Sequence, residues 1–468
     1  MADQHSFYDV RLQAHIVLEA ETPLVIGSGR KSALTDSSIL KDVNGLPYIP
    51  GTSIAGVIRH IIDEDQKNEY FGIKARKGAG KNNSKGSDII FTEAKLVDFN
   101  GVAQDGFRKQ DESSGFFKFF SMLPRRNRVC LTEKGVAKDG GKFDEEVIFK
   151  GSRFAFDIEM VVKSSDSEPA EKFFDKVLAA LKLEEFRIGG DTRNGFGKMS
   201  VVEIRKRKLN LCTPADLDAY LQSSSSLSSD YSDGYGWQPF APEASSSAGW
   251  TKYELTLTPC DFFSFGSGVG DDEVDDTPVR ESFVNWNNGR GEIVKDVLLI
   301  PAASLKGALA HRVAFYSNLS KSKPYYAMNL LPEEFEEHTG NKNKAVRLLF
   351  GYQDEDSETS QRRGNCLFSD ILGLVKGEDK ILNHVKIDKF TSGAMEGALF
   401  SEKVVENKGL EFKTTILVKN SDEEGYADAL SYLEKALDDI DRGTLTLGGG
   451  SGRGHGAFKC RWTKTEME

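Results

Sequence analysis

The same order of segments occurs twice in this chain. LPYIPGTSIAGVIRHII at 46–62 returns as LLIPAASLKGALAHRVAFY at 298–316, and IGGDTRNGFGKMSV at 188–201 returns as LGGGSGRGHGAFKC at 447–460. The closing loops share the spacing GG-x-S/T-x-x-G-x-G. Ser53 precedes Gly189 by 136 positions and Ser304 precedes Gly448 by 144. A chain built this way folds one unit two times. Each copy opens on alternating polar and apolar residues, RLQAHIVLEAETPLVIG at 11–27 and TKYELTLTPCDFFSFG at 251–266, the pattern of a half-buried strand. An acid-bearing loop follows, then a short apolar strand ending in Pro, then a helix. Ile54, Val57, Ile58, Ile61 and Ile62 share one face of the first such helix at helical spacing. A later strand (SRFAFDIEMVV, LEFKTTILV) leads into a second amphipathic helix, marked in the second copy by Tyr426, Leu430, Leu433, Leu437 and Ile440. The order strand–helix–strand–strand–helix–strand predicts an α+β fold of two tandem ferredoxin-like (RRM-like) domains. SSSSLSSDYSDGYG at 223–236 is low in complexity and reads as linker. The expected division is 1–215, a Ser/Gly/Pro-rich linker at 216–249, and 250–468.

Composition narrows the function. Net charge is -11, which by itself argues against nucleic acid. The charge is uneven, however: residues 1–210 hold 34 Lys and Arg against 31 Asp and Glu, and the remainder holds 27 against 41. Basic clusters stand out at LPRRNRV (123–129), KARKGAGKNNSKG (74–86) and IRKRK (204–208). Mean hydropathy is -0.41, and no apolar run reaches the length of a membrane span. The start, MADQHSFYDV, lacks the basic and apolar regions of a signal peptide. Cys130, Cys212, Cys260, Cys366 and Cys460 are scattered, which is neither a zinc nor a disulfide pattern and fits a reducing cytoplasm.

PYIPGTSIAGVIR and IPAASLKGALAHR resemble the PxIPGSSLKGxxR signature of the CRISPR-associated RAMP superfamily. GGDTRNGFGK and GGGSGRGHG resemble its closing glycine-rich loop. HVKIDKFTSGAMEGALFSEKVV at 384–405 is similar to the segment leading into the family's thumb hairpin, and TDSSILKD at 35–42 to the loop carrying the catalytic aspartate of type III backbone subunits. Two copies in one chain resemble a fused double backbone subunit. The resemblance implies an RRM-like fold aligned along guide RNA, inserted thumbs that disrupt the guide–target duplex, other effector subunits as partners, and metal-dependent cleavage of target RNA. It carries Asp36 over as a catalytic residue. In the second copy Asp276 is the expected counterpart, because it precedes TPV as Asp36 precedes SSI, with Asp275 left open beside it. The second copy departs from the family with PAAS for PGSS, and has no Arg at the position of Arg59; Arg312 lies two residues further on.

The chemistry of these residues fits that resemblance. Glycine loops let backbone N–H groups approach a phosphate, and helix N-termini add partial positive charge. The expected RNA contacts are Gly189, Gly190, Arg193, Gly195 and Gly197 in the first loop, and Gly448, Gly449, Arg453, Gly454, His455 and Gly456 in the second. Ser53, Arg59, Ser304 and Lys306 on the helices, and Arg125, Arg126 and Lys389 elsewhere, complete the set. The same glycines also suit tight turns alone. GSGRKS at 27–32 lacks the spacing of a nucleotide-binding loop. RNA brings its own 2′-OH nucleophile, so a carboxylate serves better by holding hydrated Mg²⁺ or another divalent cation than as a base, given an ordinary Asp pKa of ~3.9. Asp36 and Asp276 are the expected metal-holding residues; Asp42 and Glu281 are weaker candidates. The bland reading makes each a solvated turn residue. His60 and His311 occupy matching helix positions, where packing is expected; a histidine-dependent nuclease that processes guide precursor is a third reading, after a non-catalytic scaffold. GFFKFFSMLPRR at 115–126 suits a base-displacing thumb, a contact with a neighbouring subunit, or a packed core.

Overall fold

A computed structural model describes residues 8–30, 35–62, 64–73, 85–107, 114–132, 136–229, 231–232, 235–243, 247–320, 338–353, 361–373, 379–406 and 409–467. In the first lobe β1 (Val10–Ala20) leads to α1 (Gly51–Ile61), then β2 (Ile89–Phe91), β3 (Ala94–Leu96), α2 (Gly115–Ser121), the hairpin β4 (Arg125–Leu131) and β5 (Ala137–Glu146), β6 (Arg153–Val162), α3 (Ser167–Ala180) and β7 (Met199–Asn210). The second lobe runs β8 (Trp250–Pro259), the hairpin β9 (Arg280–Asn287) and β10 (Arg290–Ile300), α4 (Ala302–Leu319), β11 (Cys366–Leu367), β12 (Ile371–Gly373), the hairpin β13 (Lys380–Ile387) and β14 (Ala394–Val404), β15 (Phe412–Lys419), α5 (Tyr426–Asp441) and β16 (Phe458–Met467). In the first sheet β1 lies between β6 and β7, with β2 and β3 outside β6; in the second β8 lies between β15 and β16, with β11 outside β15. Both are the antiparallel ferredoxin-like arrangement that the repeated segment order predicts.

The alternation along β1 sends Leu12, Ala14, Ile16 and Leu18 inward, where they pack with Phe156 and Ile158 of β6 and Phe173, Phe174 and Val177 of α3. The second core repeats this with Tyr253, Leu255 and Leu257 against Leu433, Leu437 and Ile440 of α5. The opposite, polar face of the first sheet is covered by the segment expected to be linker. Tyr231 stacks on His15 with ring centroids 3.6 Å apart. The Arg207 guanidinium lies 4.3 Å from the Trp237 ring, and Leu227 is buried against Val97, Ala103 and Ala155. A few anchoring side chains suffice to bind a Ser-rich strap to a sheet, and periodicity does not report them.

The phenylalanine cluster at 115–126 is core. Phe116 and Phe120 are 5% and 1% exposed, and Phe119 stacks on Phe149 at 3.9 Å. The projecting hairpins are β4–β5 and β13–β14 instead. Of the KARKGAGKNNSKG loop, residues 74–84 lie outside the described residues.

The lobes meet head to tail. The β9–β10 arm of the second lobe reaches onto the first, where Val284 joins the core and Trp286 Nε1 donates to the Gly151 carbonyl at 2.7 Å. At the centre of the junction sits Arg126, from the base of β4. Its guanidinium grips both carboxylate oxygens of Glu281 and donates to Asp370 Oδ2. The three side chains are 6%, 5% and 1% exposed. Asp370 Oδ1 also accepts the first helical N–H of α4, from Ala302, at 2.8 Å. Burial disfavours the charge on Arg126, but the two carboxylates outweigh it and its pKa is raised.

Candidate functional site

Around the acidic loop the hydrogen-bond registers of the two lobes superpose residue by residue. Gly27 bridges Ile39 as Gly266 bridges Pro278, and Ser37 pairs in parallel with Glu145 as Asp276 pairs with Glu402. Ser28 N bonds to Ser38 O, and Ser267 N to Thr277 O. Counting back from these pairs, the counterpart of Asp36 is Asp275, and the counterpart of Asp276 is Ser37. The sequence expectation that matched Asp36 with Asp276 is corrected here. Resemblance of the residues that follow was outweighed by backbone pairing to the hairpin.

In the first lobe Asp36 is exposed at the base of the β4–β5 hairpin. Its N–H donates to Asp144 Oδ1 at 2.9 Å, and Asp144 N–H returns a 3.4 Å bond to Asp36 Oδ2. Next to this pair Arg128 links Glu145 (2.7 Å) of the hairpin to Asp191 (3.1 Å) of the glycine loop. Burial pushes the Glu145 carboxyl up to about 7, opposed by Arg128 and assisted by Asp191. The cluster joins the acidic loop, the hairpin and the glycine loop at one place.

The second lobe builds the same corner with other side chains. Asp275 Oδ2 accepts from Ser401 N (2.8 Å) and Ser401 Oγ (3.1 Å). Glu402, buried, accepts from His384 Nε2 at 2.8 Å and from Arg453 at 2.8 and 2.9 Å. His384 and Arg453 both lie over Phe400. Asp276 is half-buried beside them; its Oδ1 is buried with no hydrogen-bond partner. Burial, then the nearby Glu402, raises its pKa, although backbone N–H groups lower it. Among the described residues no three His, Cys, Asp or Glu side chains converge in a metal-ligand geometry.

Both glycine loops close in the same way. Ile188 N bonds to Gly197 O, and Leu447 N to Gly456 O. Gly197 and Gly456 have φ of 78° and 80°. A Cβ on either would stand 2.1 or 2.3 Å from a carbonyl oxygen, so only glycine fits there. Gly189 and Gly448 are held against Val25 and Ser264 in like fashion. Turn geometry therefore accounts for these four, whereas Gly190 and Gly449 lie at the exposed edge.

Several expected RNA contacts are used elsewhere. Arg126 is locked into the junction. Lys306 turns into the same junction, bonded to Asn194 Oδ1 at 2.9 Å, and burial pulls its pKa down. Arg193 is half-buried, its Nε donating to Gly364 O, and Gly195 packs beneath Ala302 and Asp370. His455 is 7% exposed, edge-on to Phe262, as its counterpart Phe196 is wholly buried; both fill the loop's interior. Glu281 is consumed by Arg126, and Asp42 caps its own turn through Asn44 N and Leu46 N. Arg59 Nη2 donates to Gly72 O, away from the start of α1. Ser304 is exposed and Ser53 half-buried, neither capping its helix. Arg125, Lys389, Arg453 and Gly454 are exposed, so the accessible cations gather on the two hairpins and the second loop. His60 and His311 are exposed rather than packed.

Sequence reading passed over Asp144, Glu145, Arg128, His384 and Glu402. Their signal was present: DEE at 144–146 and SEK at 401–403 end the two hairpins at matching places. A second repeat was also overlooked, IFTE at 90–93 against LFSD at 367–370.

A model of the RAMP superfamily matches residues 17–200 and 266–459. The CRISPR system Cms endoribonuclease Csm3 of Methanocaldococcus jannaschii is 27% identical over 217 residues, which cover 43% of this chain and 80% of that protein.

Proposed function

From the premise that this chain belongs to the RAMP superfamily, in two copies, we propose that it is a double backbone segment of a type III CRISPR effector. It binds guide RNA together with other effector subunits and cuts the paired target RNA, in the cytoplasm. Similarity to an endoribonuclease of a CRISPR system supports the reading. The observation that carries it is the repeated corner: each lobe places a loop aspartate, Asp36 or Asp275, against the base of a projecting hairpin.

The reaction asks little covalent chemistry of the protein. The 2′-OH attacks the adjacent phosphorus, the bond to the 5′ oxygen of the next nucleotide breaks, and the products carry a 2′,3′-cyclic phosphate and a 5′-OH. Hard oxygen donors suit Mg²⁺. Asp36 with Asp144 in the first lobe, and the exposed Asp275 in the second, would supply the oxygen donors; Asp276 Oδ1 is buried and would not. A bound cation supplies charge compensation at the phosphate. The hairpins position the strand: Arg125 and Lys389 meet phosphates, and Phe390, 96% exposed at the β13–β14 tip, meets a base.

Asp36→Asn and Asp275→Asn keep the shape and the backbone bonds and remove the charge. With assembled complex and end-labelled target, each abolishes one cut and spares guide binding and the other cut; chelation stops both. A scaffold role has an observation in its favour, since Asp275 already staples the loop to Ser401. Wild-type cutting in both variants establishes that role instead.

A further inference from the structure

The second half of the chain is acidic, with 27 Lys and Arg against 41 Asp and Glu, yet it holds a cavity walled by cations. The cavity lies beside a short helix, Lys344–Phe350, and a hairpin of two strands, Gly351–Gln353 and Gln361–Arg363. Lys342, Lys344, Arg347 and Arg362 surround a space of about 410 Å³, and Leu348 and Tyr352 complete the wall. Two local rules bring these groups together. Ala345, Val346 and Leu349 of the helix fill the second core, so Lys344 and Arg347, three positions apart, share the face turned away from it. Tyr352 pairs with Arg362 across the hairpin, so their side chains stand on one face.

We propose that this cavity is a binding site for a triphosphate group, carried either by a free nucleoside triphosphate or by the 5′ end of an RNA. Arg362 is anchored by Glu423 through two nitrogens at 2.5 and 2.6 Å. The Arg347 guanidinium lies 3.6 Å from the centre of the Tyr352 ring. Stacking fixes the plane of the guanidinium and leaves its in-plane N–H donors to an oxyanion. Among the described residues neither Lys344 nor Arg347 has an acid at ion-pair distance. Four cations against the one carboxylate that holds Arg362 leave a surplus of three. A lone phosphate carries no more than about two negative charges, short of that surplus, whereas linked phosphates match it. A concave site of this volume holds a small molecule or a chain end, and Tyr352 and Leu348 offer apolar contact to a ribose or base. Neither corner and no part of the Arg126 junction contributes a residue, so the proposal goes beyond RNA cleavage and holds without it.

Isothermal titration calorimetry on the RNA-free full chain tests it. The probes are ATP, inorganic tripolyphosphate, AMP, and a short RNA ending in a 5′-triphosphate or a 5′-hydroxyl. ATP and tripolyphosphate bind saturably, and AMP binds at least about tenfold more weakly, the worth of one charged hydrogen bond. Lys344→Gln, at an exposed position, weakens ATP binding by about tenfold on the same ground. Arg347→Gln weakens it further, and Arg347→Lys, which keeps the charge and loses the fork, falls between wild type and Arg347→Gln. Thermal unfolding confirms that the variants are folded. Tighter binding of the triphosphate-ended RNA than of ATP identifies the RNA end as the source, and the reverse identifies the free nucleotide. The proposal is overturned if wild type binds neither ATP nor tripolyphosphate, the result expected if the acidic run at 354–358 takes these cations. It is equally overturned if AMP binds as tightly as ATP, or if both Gln variants bind ATP as wild type does. Loss of hydroxyl-ended RNA as steep as the loss of ATP also overturns it, since that marks a strand-binding surface.

Discussion

Replacing Arg126 with Ala removes the cation from a site where three charged side chains are 6%, 5% and 1% exposed. Glu281 and Asp370 are then left facing one another without compensation. Breaking a buried pair in this way costs ~3–5 kcal/mol, a large part of the stability of an ordinary domain. The size depends on pH, and the sign follows from the carboxyls. Burial already raises the pKa of Asp370 in the intact protein, although Arg126 opposes it. Without Arg126 that pKa rises further, so the folded variant binds protons that the unfolded chain releases. Such a group weakens the fold as pH rises through its folded value, and the weakness fades as pH falls below it. Arg126→Ala is thus most destabilised at pH 8 and recovers towards wild type in acid. Scanning calorimetry of both proteins at several pH values measures this. Arg126→Leu with Glu281→Leu and Asp370→Asn restores much of the loss, since no buried charge is left unpaired and an amide oxygen at 370 can still accept from Ala302 N. A loss below about 1 kcal/mol, well short of the cost of a broken buried pair, would refute the reasoning. So would a loss independent of pH.

Phe120→Ala empties a fully buried site in the first core and costs ~3–5 kcal/mol in urea unfolding; below the transition the guide binding proposed above is unchanged, because the ring lies in the core. Glu145, held near 7 by burial, binds a proton in the folded state that the unfolded chain, with its carboxyl near 4.5, gives up. Wild type therefore loses stability as pH rises from 4.5 towards 7, and Glu145→Gln flattens that part of the profile in calorimetry.

The sequence by itself determined the duplicated ferredoxin-like plan. Strand alternation at 11–20 and helical spacing at 426–440 are local periodicities, and each sets which face is buried before any partner is known. The glycines at 189, 197, 448 and 456 were legible for the same reason, since a positive φ with a carbonyl pressed against Cα is a requirement of the loop itself. So was the acidic loop at Asp36. What the tertiary structure decided was partnership between residues far apart in the chain. Arg126 and Asp370 are 244 positions apart, and nothing local in LPRRNRV distinguishes the arginine that is buried from the one that is exposed. Asp275 became the counterpart of Asp36 through pairing with a hairpin 126 residues away, although the residues that follow favoured Asp276. GFFKFFS presents aromatic rings suited to bases or to a core, and the hydrophobic effect placed them in the core once Phe99 and Phe149 were brought beside them. Tyr231 and Trp237 turned a low-complexity segment into a strap for the same reason: a few side chains bind when a sheet folds beneath them, and that sheet is made of strands from widely separated parts of the chain.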